Sequence, residues 1–196
     1  MKKIVSVLFL SALLLALAGC GAKSAQKGDT FQTVRHAEIT IKDYGTIKLE
    51  LDEGTAPITV ANFIKLAQDG FYDGLTFHRI MDGFMIQGGD PLGNGSGGAS
   101  KQIKGEFAAN GWDNPISHQK GVISMARAAS FDSASSQFFI CVGDASFLDG
   151  QYAAFGHVTE GLEIVEQIAK DARPIDNNGT IPAKEQPVIE SVTVVD

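Results

Sequence analysis

The chain has 196 residues, 44% hydrophobic and 20% charged, with a formal net charge of −7. That is a globular balance sized for one domain with extensions, and its acidity argues against nucleic acid or anionic lipid as the main partner. The 22 glycines, many of them between residues 70 and 121, predict turns and a β-rich domain rather than a helical bundle.

In chain order, a leader comes first. Lys2 and Lys3 precede an apolar run from Ile4 to Ala18, broken only by Ser6 and Ser11. It is too short and wrongly flanked for a stable membrane span and reads as a secretory signal over residues 1–19. Its end, "LAGC", resembles the bacterial lipobox, which implies cleavage before Cys20 and a lipid on that sulfur. Loss of residues 1–19, which carry two lysines and no acid, takes the charge from −7 to −9. Residues 20–33 then read as the lipidated Cys20 and a polar tether spanning on the order of 20 Å, leaving residues 34–196 as the domain. The expected location is extracytoplasmic, anchored to a bacterial membrane through acyl chains. With Cys20 lipidated, Cys141 has no disulfide partner and reads as a buried, inert thiol in the apolar "QFFICV" run.

Within the domain, "HAEITIK" and "TIKLEL" alternate apolar and polar residues around Tyr44-Gly45, a hairpin signal. Pro57 suits a first helical position, Val60, Phe63, Ile64 and Ala67 follow helical spacing, and Gly70 supplies the stop, predicting a helix over Pro57–Asp69. Strand-like runs follow at 77–81, 84–87, 121–126, 137–142 and 153–158. A second helix is expected over about Gly161–Lys170, and "PVIESVTVVD" ends the chain as an alternating strand. About eight antiparallel strands and two helices predict a mainly β fold, and eight such strands can close into a barrel.

Chemistry narrows by elimination. His36, His78, His118 and His157 have no second ligand at metal spacing, so neither a metal nor a cofactor is expected. No G-x-S-x-G elbow is present, and the Gly-rich "GGDPLGNGSGG" lacks a P-loop lysine. What remains is "FHRIMDGFMIQGGDP", residues 77–91, with one arginine in an apolar run. Asp82-Gly83 marks a hairpin. A two-residue loop would pair Arg79 with Ile86. A three-residue loop, Asp82–Phe84, pairs Met81 with Met85 and Arg79 with Gln87, setting a donor opposite an amide oxygen; this register is the one predicted. On spacing alone, Phe84, Met85 and Phe139 fit a plain core equally well, and Arg79 fits an exposed edge strand.

Four stretches resemble the cyclophilins, peptidyl-prolyl cis–trans isomerases, in family order over about residues 37–195: "GFYDGLTFHRIMDGFMIQGGDP", "GVISMARA", "SSQFFI" and "FLDGQYAAFGHVTEGLEIVEQI". The resemblance implies a closed eight-stranded antiparallel β-barrel capped by two helices, and acceleration of X-Pro rotation. It matches Arg79 to the family's catalytic arginine, with His78 and Gln87 as the polar residues beside it. It matches Phe84, Met85, Phe139 and Leu148 to the proline-pocket walls. Gly95, Ala126, Ala128 and Gln137 match groove positions. Three positions depart: Phe147 stands where tryptophan is frequent, Arg127 where asparagine is, and Tyr152 where histidine is. Phe147 keeps an apolar wall but loses the indole donor, implying weaker cyclosporin binding; Arg127 alters groove recognition. The implied partners are proline-containing segments of exported proteins, met by a monomer. An active folding helper and a binding module without turnover are the two readings; the retained Arg79, Gln87, Phe84, Met85 and Phe139 favour the first.

Overall fold

The computed structural model describes residues 34–196; the leader, Cys20 and the tether lie outside the described residues. Eight strands form one antiparallel sheet: β1 (Val34–Ile41), β2 (Gly45–Asp52), β3 (Thr76–Met81), β4 (Met85–Asp90), β5 (Val122–Met125), β6 (Phe138–Cys141), β7 (Ala154–Glu160) and β8 (Ile189–Val194). Two helices, α1 (Pro57–Gln68) and α2 (Leu162–Asp171), pack on it, and single 3-10 turns stand at Ala108–Asn110 and Ser146–Leu148. The expected elements are all present, with ends displaced by a few residues.

The sheet order is β3-β4-β6-β5-β7-β2-β1-β8. The expected closed barrel does not form: the sheet is an open half-barrel with β3 and β8 at its ends. These ends touch only through the isolated Thr76–Val188 bridge and flanking backbone bonds, among them Phe77 N–H to Pro187 O at 3.0 Å. Two causes are visible. Pro187 has no N–H to extend the ladder. The rest of the β3 edge is taken by residues 179–181, with Ile80 N–H donating to Gly179 O at 2.8 Å and Ile181 N–H to His78 O at 3.0 Å.

Period-two alternation sends Ile39, Ile41, Ile47, Leu49 and Leu51 of β1 and β2 inward, all fully buried. Helix α1 covers them with Val60, Phe63, Ile64 and Ala67. Phe63 is the hub, its ring 5.2 Å from Tyr72, 5.4 Å from Phe155 and 5.6 Å, edge-on, from Phe138. No side chain of the α1 N-cap bonds its first turn. The buried Glu106 carboxylate does so from the long 91–121 connection, accepting the N–H of Ile58 at 2.9 Å and of Thr59 at 2.8 Å. It satisfies orphan donors and places negative charge at the positive end of the helix. At the other end Gly70, at φ +67, turns the chain out.

β4 and β6 are buried on both faces. Ile86, Phe138 and Ile140 enter the main core, while Met85, Phe139, Cys141 and Ala145 form a separate apolar cluster on the outer face. Burial pushes the Cys141 thiol up to about 12, leaving it protonated and inert. Because Phe63 touches three rings, Phe63→Ala should destabilise the domain by about 3–5 kcal/mol. Chemical denaturation should show this as a lower midpoint with an unchanged slope.

Candidate active site

The β3–β4 hairpin carries the site on its outer face. Arg79 lies opposite Gln87 and Met81 opposite Met85, the three-residue-loop register. Gly83, at φ +75, takes the left-handed position of the turn, and Phe84 N–H returns to Met81 O at 3.0 Å. The tip is fastened to the end of β6, where Val142 N–H donates to Phe84 O at 2.8 Å.

A β-bulge decides which way Arg79 points. Phe77 pairs with Gly88 and Arg79 with Gln87, so two residue steps on β3 oppose one on β4. Strict alternation would put Phe77 and Arg79 on one face. The extra residue, His78, shifts the phase. Phe77 and Ile80 are thereby sunk in the main core, and Arg79 joins Met81 outside.

Arg79 is half-buried and every acceptor it meets is neutral. Nε donates to Asn178 O at 2.7 Å, Nη1 to Gln87 Oε1 at 3.2 Å and Nη2 to Met81 Sδ at 3.3 Å; the guanidinium carbon stands 5.9 Å from the Phe84 ring centroid. Burial lowers its pKa, yet arginine stays protonated. Gln87 is itself aimed by a chain of amides. Its Nε2 donates to Gln137 Oε1 at 2.9 Å, and Gln137 Nε2 donates to Gly97 O at 2.7 Å and Gly95 O at 3.2 Å. Gly95, at φ +88, rides on a loop gathered by the Asp90 carboxylate, which accepts the N–H of Leu92 at 2.8 Å, Asn94 at 3.1 Å and Gly95 at 2.6 Å. Burial alone would raise the Asp90 pKa; the backbone donors outweigh it and hold the carboxylate ionised.

Beside Arg79, the outer face gathers Phe84, Met85, Phe139, Leu148, Tyr152 and Ala126 into one apolar cluster, the side chains that the sequence resemblance assigns to a proline pocket and its groove. The Tyr152 ring meets Phe139 edge-on at 6.0 Å. Phe147 is 66% exposed and packs on Phe84 at 5.4 Å, so it flanks the pocket rather than flooring it. Ala126, Arg127 and Ala128 follow β5. Ala126 N–H bonds Gln137 O at 2.9 Å, and Arg127 lies 4.7 Å over the Tyr152 ring. His78 is buried beneath the Gly95 loop and bonds neither Arg79 nor Gln87. Among the described residues both its ring nitrogens lack a partner.

Two supports escaped the sequence. The first is Asn178, whose carbonyl grips Arg79; the Asp176 carboxylate holds its turn by accepting the N–H of Asn178 and of Thr180, each at 3.0 Å. Its one signal was the Asp-Asn-Asn-Gly turn composition. The second is His118, fully buried, whose ring stacks on Phe139 at 5.9 Å. Its Nδ1 meets Asp149 Oδ1 at 2.8 Å and its Nε2 meets Ser124 Oγ at 3.0 Å. The trio has the residue types of a hydrolytic triad, but Ser124 is fully buried and reaches no substrate. The contact instead pins the turn that bears Phe147 and Leu148. Nothing local in the sequence marks it.

A family model described as cyclophilin type peptidyl-prolyl cis-trans isomerase/CLD matches residues 36–194. The chain belongs to the cyclophilin family. A peptidyl-prolyl cis-trans isomerase of Helicobacter pylori is 46% identical over 140 residues, 70% of this chain and 83% of that protein. Peptidyl-prolyl cis-trans isomerase B of Bacillus subtilis is 46% identical over 129 residues, 66% of this chain and 87% of its own. The crystal structure of a Cryptosporidium parvum cyclophilin superposes with TM-score 0.73 at 28% identity, covering 84% of this chain and 99% of that one. A second structure of that protein, described as in the presence of dipeptide ala-pro, gives TM-score 0.69 at 28% identity over 82% and 99%. The activity is therefore peptidyl-prolyl cis–trans isomerisation, and cyclophilins are the frame for the pocket beside Arg79.

Burial keeps His78 neutral by lowering its pKa below the ordinary 6.5. The unfolded chain takes up that proton as pH falls through about 6.5, and the folded one only at lower pH. Stability should therefore fall as pH drops from 7.5 to 5.5. In thermal melts His78→Gln should flatten the slope of Tm against pH in this window, whatever its effect on Tm itself.

Proposed function

We propose that this cyclophilin accelerates X-Pro isomerisation in exported proteins, from a membrane to which Cys20 lipid holds it, with Arg79 as the catalytic group. The observation that carries the catalytic assignment is a guanidinium held only by neutral acceptors beside an apolar pocket. Rotation about an X-Pro bond breaks no covalent bond; its barrier, about 18–20 kcal/mol, is amide conjugation. As the bond twists, the proline nitrogen regains its lone pair. A fixed N–H donor there stabilises the twisted state more than the planar one, which is what lowers the barrier.

Each neighbour has a part in that scheme. Phe84, Met85, Phe139 and Leu148 hold the proline ring and exclude water, which strengthens the arginine contact. Gln87, Gln137 and the Gly95 loop aim the guanidinium, so its donors need no reorganisation during the reaction. Tyr152 walls the pocket, and the backbone at Ala126–Ala128 faces the peptide. His78, held neutral, adds no second positive charge next to Arg79. No proton moves, so no general base is required.

Arg79→Ala should lower kcat/KM on X-Pro peptides by about 100-fold or more, on the scale of losing a preorganised transition-state donor. Arg79→Lys should fall as well, since ammonium lacks the planar fork. A protease-coupled assay on residues 21–196 measures both, and near-normal turnover by Arg79→Ala would sink the assignment.

Attachment has its own test. Cells expressing the full chain should incorporate labelled palmitate into the protein and carry it in the membrane fraction, while Cys20→Ser should lose both label and membrane association. Equal labelling of the two would remove the anchor from the proposal.

A further inference from the structure

The turn that grips Arg79 carries chemistry that the scheme above does not use. The chain has three Asn-Gly steps: Asn94-Gly95, Asn110-Gly111 and Asn178-Gly179. Such a step is chemically labile, because the glycine has no side chain to keep its nitrogen from the neighbouring carboxamide. The structure separates the three. Asn94 Oδ1 accepts the N–H of Ser96 at 2.9 Å and its hydroxyl at 2.7 Å. Asn110 Nδ2 donates to Gly105 O at 2.7 Å and to Asp132 Oδ1 at 2.8 Å. Asn178 is exposed and is held through its backbone, by Asp176 on its N–H and Arg79 on its carbonyl. Among the described residues its carboxamide bonds no protein group. The Gly179 nitrogen beside it makes only a long bond, 3.2 Å, to Asp176 O.

A free carboxamide and an adjacent glycine nitrogen have a reaction open to them. The Gly179 nitrogen attacks Asn178 Cγ, its proton leaves with the amide nitrogen as ammonia, and a cyclic succinimide forms. Water then opens the ring at either carbonyl. Opening at the side-chain carbonyl leaves aspartate. Opening at the main-chain carbonyl leaves isoaspartate: the chain now runs through the side-chain carbon, and the old carbonyl of residue 178 becomes a free carboxylate. Water is the only co-reactant. That carbonyl is the one that accepts Arg79 Nε at 2.7 Å. Isoaspartate therefore turns a neutral support of the guanidinium into an anion. It also lengthens the backbone between two anchors, Asn178 N–H on Asp176 Oδ1 at 3.0 Å and Gly179 O on Ile80 N–H at 2.8 Å.

We infer that Asn178 is a site of spontaneous deamidation, and that its isoaspartyl product switches the isomerase off by pairing a carboxylate with Arg79. The loss of activity rests on the reading of Arg79 as the catalytic group; the site of modification does not. Aspartate at the same position keeps the main-chain carbonyl in place and is the milder product.

The test ages residues 21–196 for several days in warm, mildly alkaline buffer. Peptide mapping by mass spectrometry locates each amide-to-acid conversion, an isoaspartyl methyltransferase counts isoaspartate, and kcat/KM on X-Pro peptides follows activity. Conversion should appear at Asn178 before Asn94 and Asn110, and kcat/KM should fall in step with isoaspartate. The purified isoaspartyl fraction should be slower by about tenfold or more, part of the loss expected when a preorganised donor is removed altogether. Repair by the methyltransferase with S-adenosylmethionine returns isoaspartate to aspartate and should restore part of the rate. Asn178→Gln, whose longer side chain closes a ring far more slowly, should hold its own starting rate through the same treatment. Conversion first at Asn94 or Asn110, or an isoaspartyl fraction as fast as the fresh protein, would overturn the inference while leaving the isomerase intact. Normal turnover by Arg79→Ala would instead overturn the catalytic reading of Arg79, with the site of modification still decided by the map.

Discussion

A positive charge must be held firmly without being neutralised, and the architecture around the site follows from that constraint. A carboxylate against Arg79 would fix it equally well but would cancel the field that the twisting proline nitrogen needs. The protein uses a backbone carbonyl at Asn178, an amide oxygen at Gln87 and thioether sulfurs instead. Each support is then anchored in turn: Gln87 by Gln137, Gln137 by the Gly95 loop, and that loop by Asp90. Two acids of the frame, Asp90 and Asp176, spend their oxygens on backbone N–H groups. They stiffen the frame without pairing with the arginine.

The same strands serve stability and chemistry on opposite faces. Phe138 packs into the ring cluster around Phe63, while Phe139, the next residue, floors the pocket and rests on His118. Two close backbone approaches let the layers sit this near. A side chain at Gly88 would meet Thr76 O at 2.8 Å, and one at Gly179 would meet Ile80 O at 2.6 Å. Gly179 therefore lets the segment that grips Arg79 also cover the edge of β3. Core packing and arginine placement are mechanically one problem, because a shift in β3 or β4 moves both.

Two arginines are held near aromatic rings on this face of an acidic protein, Arg79 beside Phe84 and Arg127 over Tyr152. The two arginines are held differently. Arg79 leans on acceptors that leave its donors near the pocket, while Arg127 is wedged among three rings. The first arrangement suits a transition-state contact, which must be rigid. In the second, stacking supplies order and the carbonyls leave the charge intact.

Much of this was legible in the sequence because it is local. Alternation gave the strands, Pro57 and Gly70 bounded α1, and Asp82-Gly83 with a donor opposite an amide set the hairpin register. The assignment of Phe84, Met85, Phe139 and Leu148 to a pocket came from the family resemblance, since spacing alone fits a plain core equally well. Tertiary structure alone decided the rest. The bulge at His78, the carbonyl of Asn178, the reach of Glu106 to α1 and the stacking of His118 under Phe139 all join residues remote in sequence or depend on the phase between strands. Closure failed to follow from strand count for the same reason: whether β3 meets β8 depends on what else competes for its edge, and residues 179–181 took it. Local patterns specify faces and turns; long-range contacts specify which faces meet, and only the folded chain holds that information.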